Sequence, residues 1–141
     1  MAFVEPINLS ERGIQLLPLG PEHEAGLRAA AADGELWRLR ITSVPDPDDT
    51  RKYIEDALAM RDAGNRFAFA VTDQQTGVVL GSTSYHDILP AVKRVEIGYT
   101  WYAASHQRSA VNTTAKWLLM QHAFETLGAK LVGWRTDYAS P

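Results

Sequence analysis

The sequence predicts a single α/β domain built on a mixed sheet, in which an antiparallel meander is followed by a β-α-β unit. Three consecutive segments alternate apolar and polar residues, a long helical pattern follows them, and one further strand candidate comes last. A chain of 141 residues, 45% of them hydrophobic and 22% charged, suits one globular domain with its own core. The last pairing is predicted to be parallel, because parallel strands need a long crossover connection such as a helix.

The N-terminal part predicts a strand followed by a helix. Residues 14–19 form a short apolar run behind Gly13, which is typical of a first strand. Pro21 and the acidic residues after it indicate a helix start, and this helix is predicted to end at Asp33. Residues 36–44 mix apolar and basic side chains and are interpreted as a short helix or a loop.

A second helix is predicted from Pro47 to Gly64. Asp46 can cap its N-terminus, proline fits the first helical position, and glycine is a natural terminator. The residues that share its apolar face are Ile54, Ala57 and Leu58.

The meander is predicted from strands at about residues 67–71, 78–85 and 94–101, with a turn at residues 73–77. The first strand places Phe67, Phe69 and Val71 on one face and Ala68 and Ala70 on the other. The third strand is predicted to place Val95, Ile97, Tyr99 and Trp101 on one face and Glu96, Gly98 and Thr100 on the other.

The longest helical pattern follows this meander. Its predicted apolar stripe consists of Trp117, Met120, Phe124 and Leu127. Gly128 ends the helix, and residues 131–135 are the final strand candidate, parallel to residues 94–101 through a right-handed crossover.

Composition and charge exclude several function classes. The absence of cysteine rules out disulfide scaffolds, thiolate metal sites and a cysteine nucleophile. A net charge of −3 argues against a general affinity for nucleic acid. No apolar run approaches the ~20 residues of a membrane helix, and residues 1–10 lack the features of a signal peptide, so a cytoplasmic location is predicted. The histidines lack metal-ligand spacing, so no metal site is predicted.

The segment that leads into the long helix is a candidate anion site. A helix N-terminus presents unpaired N–H groups and a positive dipole end. Ser109 and Ala110 are small enough for a phosphate to approach the backbone, and Arg108 adds a positive charge. The alternative interpretation is ordinary helix capping by Ser109 or Asn112.

Glu96 is the candidate catalytic base. It is a carboxylate in an otherwise apolar strand, where partial burial can favour proton acceptance from a substrate. The alternative is an exposed strand carboxylate. Gly98 on the same face leaves room for a ligand, or else marks a β-bulge. Tyr99, Trp101 and Trp117 are interpreted as core aromatics rather than recognition residues.

Residues 96–102 and 107–116, followed by 122–128 and 134–137, together resemble the GNAT superfamily of acetyl-CoA-dependent N-acetyltransferases. The likeness is strongest to the RimJ/RimL type, which acetylates the N-termini of ribosomal proteins. That family has a pyrophosphate loop of the pattern Q/R-x-x-G-x-G/A. Gln107, Ala110 and Asn112 fall on its three fixed positions, and the last two depart from the pattern.

The resemblance implies a GNAT-like fold and direct acetyl transfer from acetyl-CoA to a primary amine, with no metal. Glu96 would accept a proton through water, and a backbone N–H near residues 99–101 would polarise the thioester. The predicted acetyl-CoA contacts are Tyr99, Thr100, Trp101, Tyr102, Gln107, Arg108, Ser109, Ala110, Val111, Asn112 and Thr113.

Members of this branch continue with another helix and two closing strands, so residues 1–141 are expected to be a C-terminally incomplete GNAT domain. An unpaired last strand would then favour a homodimer, or else low stability of the isolated chain. Two alternative functions stay open. One is a non-catalytic module of the same fold that binds coenzyme A, and the other is an α/β protein that binds a different phosphate ligand. The amine acceptor is not specified by the sequence.

Overall fold

The computed structural model describes residues 4–33, 44–106 and 110–134. Its strands are β1 (Leu9–Glu11), β2 (Ile14–Pro18), β3 (Arg66–Asp73), β4 (Val79–Leu89), β5 (Arg94–Tyr102) and β6 (Leu131–Trp134). Its α-helices are α1 (Glu24–Ala32), α2 (Thr50–Asp62) and α3 (Ala110–Gln121). The predicted helix or loop at residues 36–44 lies outside the described residues except for Val44.

The strands form one six-stranded sheet in the order β1-β2-β3-β4-β5-β6. Every neighbouring pair is antiparallel except β5 and β6, which are parallel and flank α3 in the chain. The predicted mixed sheet, with its meander and its β-α-β unit, is therefore confirmed. Strand β1 was not predicted, because three residues are too few to show a period. It pairs with β2 through a tight turn at Arg12 and Gly13, whose φ angles are 50° and 81°.

Both faces of the sheet are covered, as the alternation in β3 predicts. Phe67, Phe69 and Val71 belong to the core under α3, whereas Ala68 and Ala70 belong to the core under α1 and α2. The small alanine side chains allow these two helices to pack closely on the sheet. The side chains that α1 and α2 contribute to this second core are Leu27, Ala30, Ala31, Ile54 and Ala57.

The two N-terminal helices begin and end close to the predicted residues. Each α-helix follows a short 3-10 turn that starts with proline, Pro21–His23 before α1 and Pro47–Asp49 before α2. The Asp46 side chain accepts a hydrogen bond of 2.9 Å from the Asp48 N–H, which confirms the predicted cap. After α2 the chain turns at Gly64, whose φ is 79°. No helix in the described ranges is both long enough and apolar enough to cross a membrane.

The predicted apolar stripe of α3 is correct for Met120 and Leu127, which pack against the core, and wrong for the two aromatic residues. Trp117 and Phe124 are each 47% exposed, and the helix buries a neighbouring stripe of smaller residues instead. The members of α3 that are buried are Val111, Thr114, Ala115, Leu118 and Leu119. Because the sheet already contributes large rings under α3, small residues such as Ala115 allow the helix to fit there. Helical spacing is satisfied by both stripes, so periodicity could not decide between them.

Tyr85 links the sheet to α3 at the point where the helix changes its geometry. Its ring is fully buried, and its hydroxyl donates to the Leu119 carbonyl oxygen. Burial raises the pKa of this phenol well above its ordinary value. Just beyond, His122–Thr126 form a π-helical turn, in which the Leu127 N–H donates to the His122 carbonyl at 3.0 Å. A side chain that bonds to a helix carbonyl is one recognised cause of such irregularity.

Tyr85→Phe is expected to lower the free energy of unfolding by about 1–3 kcal/mol. The change removes the hydroxyl that donates to the Leu119 carbonyl oxygen and leaves the packing of the ring intact. Equilibrium unfolding in urea measures this loss, and the slope with denaturant should stay unchanged. A variant as stable as the wild-type chain would show that the hydroxyl does not stabilise α3.

Candidate active site

The central irregularity of the sheet is a β-bulge in β5 at Tyr99. Ser82 pairs with Trp101 and Ser84 with Gly98, so two residues of β5 stand opposite Thr83 alone. Tyr99 has a φ of 50°, in the left-handed region that non-glycine residues rarely adopt. The β-bulge that the sequence left open as an alternative at Gly98 is therefore present, with its left-handed residue one position later.

The bulge exchanges the two faces of β5. Val95 and Ile97 lie in the core under α3, as predicted, but Trp101 lies in the core under α1 and α2, and Tyr102 replaces it under α3. The predicted alternation from Val95 to Trp101 is thus wrong beyond Ile97, because one extra residue reverses the parity of a strand. Tyr99 is 39% exposed and is not a core residue, whereas Trp101 is buried as predicted.

Gly81 allows the two backbones to approach each other beside the bulge. A Cβ atom at this position would overlap the Trp101 carbonyl oxygen and would lie 2.8 Å from the Tyr102 Cα. The backbone of β4 therefore fixes where β5 runs after the bulge.

Strand β6 pairs with the first part of β5 within the described residues. In the part of the chain that the structure describes, their pairing begins at Arg94 opposite Leu131 and ends at Ile97 opposite Trp134. The described pairing therefore lies before the bulge, and residues 135–141 lie outside the described residues. The stretch from Gly98 to Tyr102, which contains the predicted coenzyme contacts Tyr99, Thr100, Trp101 and Tyr102, follows these paired residues in β5.

The first turn of α3 is the second element of the predicted coenzyme site. The helix begins at Ala110, and Ala110 and Thr113 are exposed, while the Val111 side chain packs into the core. The Oδ1 atom of Asn112 is buried and has no hydrogen-bond partner among the described residues. The capping function proposed for Asn112 as the alternative is not seen there. Gln107, Arg108 and Ser109 lie outside the described residues.

The connection before this turn is held by α1. Both the N–H and the hydroxyl of Ser105 donate to the Asp33 carboxylate, at 3.0 and 2.7 Å. The two hydrogen bonds lower the pKa of Asp33, with the hydroxyl contributing more. The end of α1 is thereby tied to the short helical turn Ala104–His106, which leads toward α3.

Glu96 lies on the face predicted for it, opposite Val95 and Ile97. Its side chain is half-buried, and its cross-strand partner is His86 on β4. A Cβ atom on Gly133 of β6 would lie 3.0 Å from the Glu96 Cγ, so this glycine leaves room for the carboxylate side chain. Glu96 therefore projects on the α1 and α2 side of the sheet, in the part of β5 that pairs with β6.

Gly98 does not provide the open space that the sequence suggested for a ligand. A Cβ atom on Gly98 would overlap the His86 ring, which lies across this position. The ring is 3% exposed and makes an edge contact with Tyr99, with centroids 5.2 Å apart. Gly98 thus makes room for an imidazole beside Glu96 rather than for a ligand.

A buried arginine, which sequence reasoning missed, completes this face. Arg66 is 4% exposed, and its guanidinium donates to the Ser84 hydroxyl at 3.0 Å and to the Tyr53 hydroxyl at 3.1 Å. It also lies over the Tyr99 ring, 4.1 Å from the centroid. Trp101 donates to the same Tyr53 hydroxyl at 3.2 Å. The sequence did contain a signal for the burial of Arg66. It lies two residues before Ala68 in an apolar strand, and therefore on the same face as this core residue.

The family model and the solved structures point to the same family. A family model described as an acetyltransferase (GNAT) domain matches residues 14–139. Among solved structures, a GCN5-related N-acetyltransferase from Brucella melitensis is 26% identical, with a TM-score of 0.74. The match covers 89% of this chain and 58% of the Brucella chain, so the present chain spans less than two thirds of that protein.

Two further structures share the fold at lower identity. A GNAT-family protein from Chromobacterium violaceum has a TM-score of 0.79 and 24% identity, over 96% of this chain and 68% of its own. RimL, a ribosomal L7/L12 alpha-N-protein acetyltransferase in complex with coenzyme A, has a TM-score of 0.67 and 20% identity, over 82% and 67% of the two chains. A sequence search of curated proteins found no significant match.

Proposed function

The chain belongs to the GNAT acetyltransferase family, and we propose that it transfers the acetyl group of acetyl-CoA to a primary amine by direct transfer. The observation that carries this proposal is the bulge at Tyr99, which changes the course of β5 just before the chain reaches α3. It leaves the second part of β5 beside the start of α3, where a coenzyme arm and its phosphates would need backbone groups.

The residues on the donor side fit a coenzyme in two respects. The first turn of α3 lies at the positive end of the helix dipole, which suits an anionic pyrophosphate. The Asn112 side chain in this turn has a buried oxygen without a hydrogen-bond partner among the described residues, so its amide is available for a polar contact. When bound, acetyl-CoA supplies an activated acetyl thioester. The contacts proposed for Gln107, Arg108, Ser109 and Thr113 remain predictions.

The residues on the acceptor side can hold and move a proton. Glu96 is half-buried and faces the side of the sheet covered by α1 and α2, so it can accept a proton from an ammonium group through water. The backbone N–H groups after the bulge, near Tyr99 to Trp101, are proposed to polarise the thioester carbonyl as oxyanion donors do. No covalent intermediate on the enzyme is needed, which agrees with a chain without cysteine.

RimL is described as an acetyltransferase of a ribosomal protein N-terminus. For this chain we propose only the general class of acceptor, a primary amine such as a protein N-terminus or a small amine. The homodimer and the cytoplasmic location stay predictions from the sequence.

Calorimetric titration with coenzyme A, followed by an acetyl-transfer assay with a panel of primary amines, tests this proposal. We expect binding and transfer. Binding without transfer to any amine would favour the non-catalytic module, and absence of binding would favour a different phosphate ligand.

Asn112→Asp is expected to weaken coenzyme A binding by about tenfold, which corresponds to about 1.4 kcal/mol. The change keeps the size of the side chain and places a negative charge beside the proposed pyrophosphate site. Gln121→Glu is the matched control, because it adds the same charge at the opposite end of α3. Equal calorimetric affinities for the two variants would show that the first turn of α3 does not bind the phosphates.

A further inference from the structure

Three potential metal ligands from two strands meet beside the proposed active site. One ligating atom from each of His86, Asp87 and Glu96 lies within 4.8 Å of the other two. The His86 Nδ1 and the Asp87 Oδ2 are 3.4 Å apart. In a tetrahedral zinc site with bonds of ~2.1 Å, neighbouring ligand atoms are separated by about 3.4 Å. The His86 imidazole and the Asp87 carboxylate are therefore already at the separation that two ligands of one ion require.

The backbone explains why these side chains converge. His86 and Glu96 are direct cross-strand partners, and such pairs project on the same face. Asp87 would normally point to the opposite face from His86. However, its φ is 45°, and the register between β4 and β5 shifts between His86 and Leu89. This irregularity brings the Asp87 carboxylate next to the imidazole.

The site has a fixed part and an adjustable part. The His86 ring is held across Gly98 and against the edge of Tyr99, and it is 3% exposed. The Asp87 side chain is 50% exposed and can rotate, which would shorten its distances to the other two ligand atoms. One imidazole and two carboxylates are a donor set that suits Zn²⁺ and similar divalent transition metals. The sequence predicted no metal site because these ligands are brought together by strand pairing, not by spacing along the chain.

We propose that His86, Asp87 and Glu96 bind one Zn²⁺ ion, and that the bound ion inhibits acetyl transfer. The inhibitory part rests on the proposed function, since it requires Glu96 to act as the base. A carboxylate that donates an electron pair to a metal is a weaker proton acceptor, so occupancy of the site removes the group that would deprotonate the amine. The ion would be a regulator of turnover and not a participant in the reaction.

Calorimetric titration of the metal-free chain with ZnCl2 tests the binding. The wild-type chain is expected to take up one Zn²⁺, and Asp87→Asn and Glu96→Gln are each expected to weaken binding at least about tenfold. Asp62→Asn is the matched control, because it removes an exposed carboxylate at the end of α2. Absence of zinc binding, or equal binding by all these variants, would overturn the site.

Titration with Co²⁺ gives a second readout that does not depend on activity. Nitrogen and oxygen ligands in a tetrahedral arrangement give Co²⁺ a visible absorption, which should appear with the wild-type chain and Asp62→Asn and be lost with Asp87→Asn. Absorption that persists in Asp87→Asn would also contradict the assignment.

The inhibitory part has its own assay. Zn²⁺ should lower the acetyl-transfer rate of the wild-type chain, a chelator should restore it, and Asp87→Asn should keep its basal rate and lose most of the inhibition. If Zn²⁺ binds at these residues and the rate does not change, inhibition and the assignment of Glu96 as base both fail, while the metal site stands. If the chain transfers no acetyl group at all, the proposed function fails and the zinc titration still decides the site.

Discussion

Glu96→Gln is expected to lower kcat for acetyl transfer by about 10²- to 10⁴-fold, the range that a general base contributes. The carboxamide has nearly the same shape, so the contact with Gly133 and the pairing with His86 should persist. It cannot accept the proton, however. Coenzyme A affinity should stay at the wild-type value, since the proposed coenzyme contacts begin at Tyr99, after Glu96 in the strand.

Steady-state kinetics as a function of pH, together with calorimetry, measure both effects. Glu125→Gln is the control, because Glu125 is an exposed carboxylate in the π-helical turn after α3. It should turn over like the wild-type chain. If Glu96→Gln also kept the wild-type kcat and pH profile, Glu96 would not be the base, and the proton would have to leave the amine by another route.

The sequence predicted correctly those parts of the fold in which a local pattern is compatible with a single structure. The alternation from Phe67 to Val71 assigns each side chain of β3 to a face, and the structure confirms both faces. Proline at the start of both α1 and α2 and glycine after α2 bounded these helices for a similar local reason. In α3, two stripes at helical spacing were available, and only the packing against Phe69 and Tyr85 selects the smaller one.

The candidate site was predicted only in part, because it depends on pairing between distant residues. Glu96 could be placed on its face from alternation alone. His86 could not be placed next to it, since their pairing depends on how many residues β4 and β5 use in the irregular turn between them. The bulge at Tyr99 gives no clear sequence signal either, because tyrosine does not favour a positive φ. Tertiary packing imposes that conformation.

Gly81→Ala is expected to be the most disruptive small substitution near the site, with a loss of about 2–3 kcal/mol in the free energy of unfolding. The added methyl group would meet the Trp101 carbonyl oxygen and the Tyr102 Cα, which are backbone atoms and cannot rotate away. Relief requires β5 to move after its bulge. That movement would shift the backbone proposed to bind the coenzyme, so coenzyme A affinity should fall together with stability.

Gly20→Ala is the matched control, because Gly20 also has extended backbone and is also close to other atoms. There the added methyl group meets the Glu22 carboxylate, the end of an exposed side chain that can rotate to another rotamer. Urea unfolding should therefore place Gly20→Ala within about 1 kcal/mol of the wild-type chain, since alanine also restricts the unfolded state. Gly81→Ala should have a clearly lower free energy of unfolding than both Gly20→Ala and the wild-type chain. If Gly81→Ala kept both wild-type stability and wild-type coenzyme affinity, close approach of β4 would not position the bulged strand, and the backbone after Tyr99 would be set by other contacts.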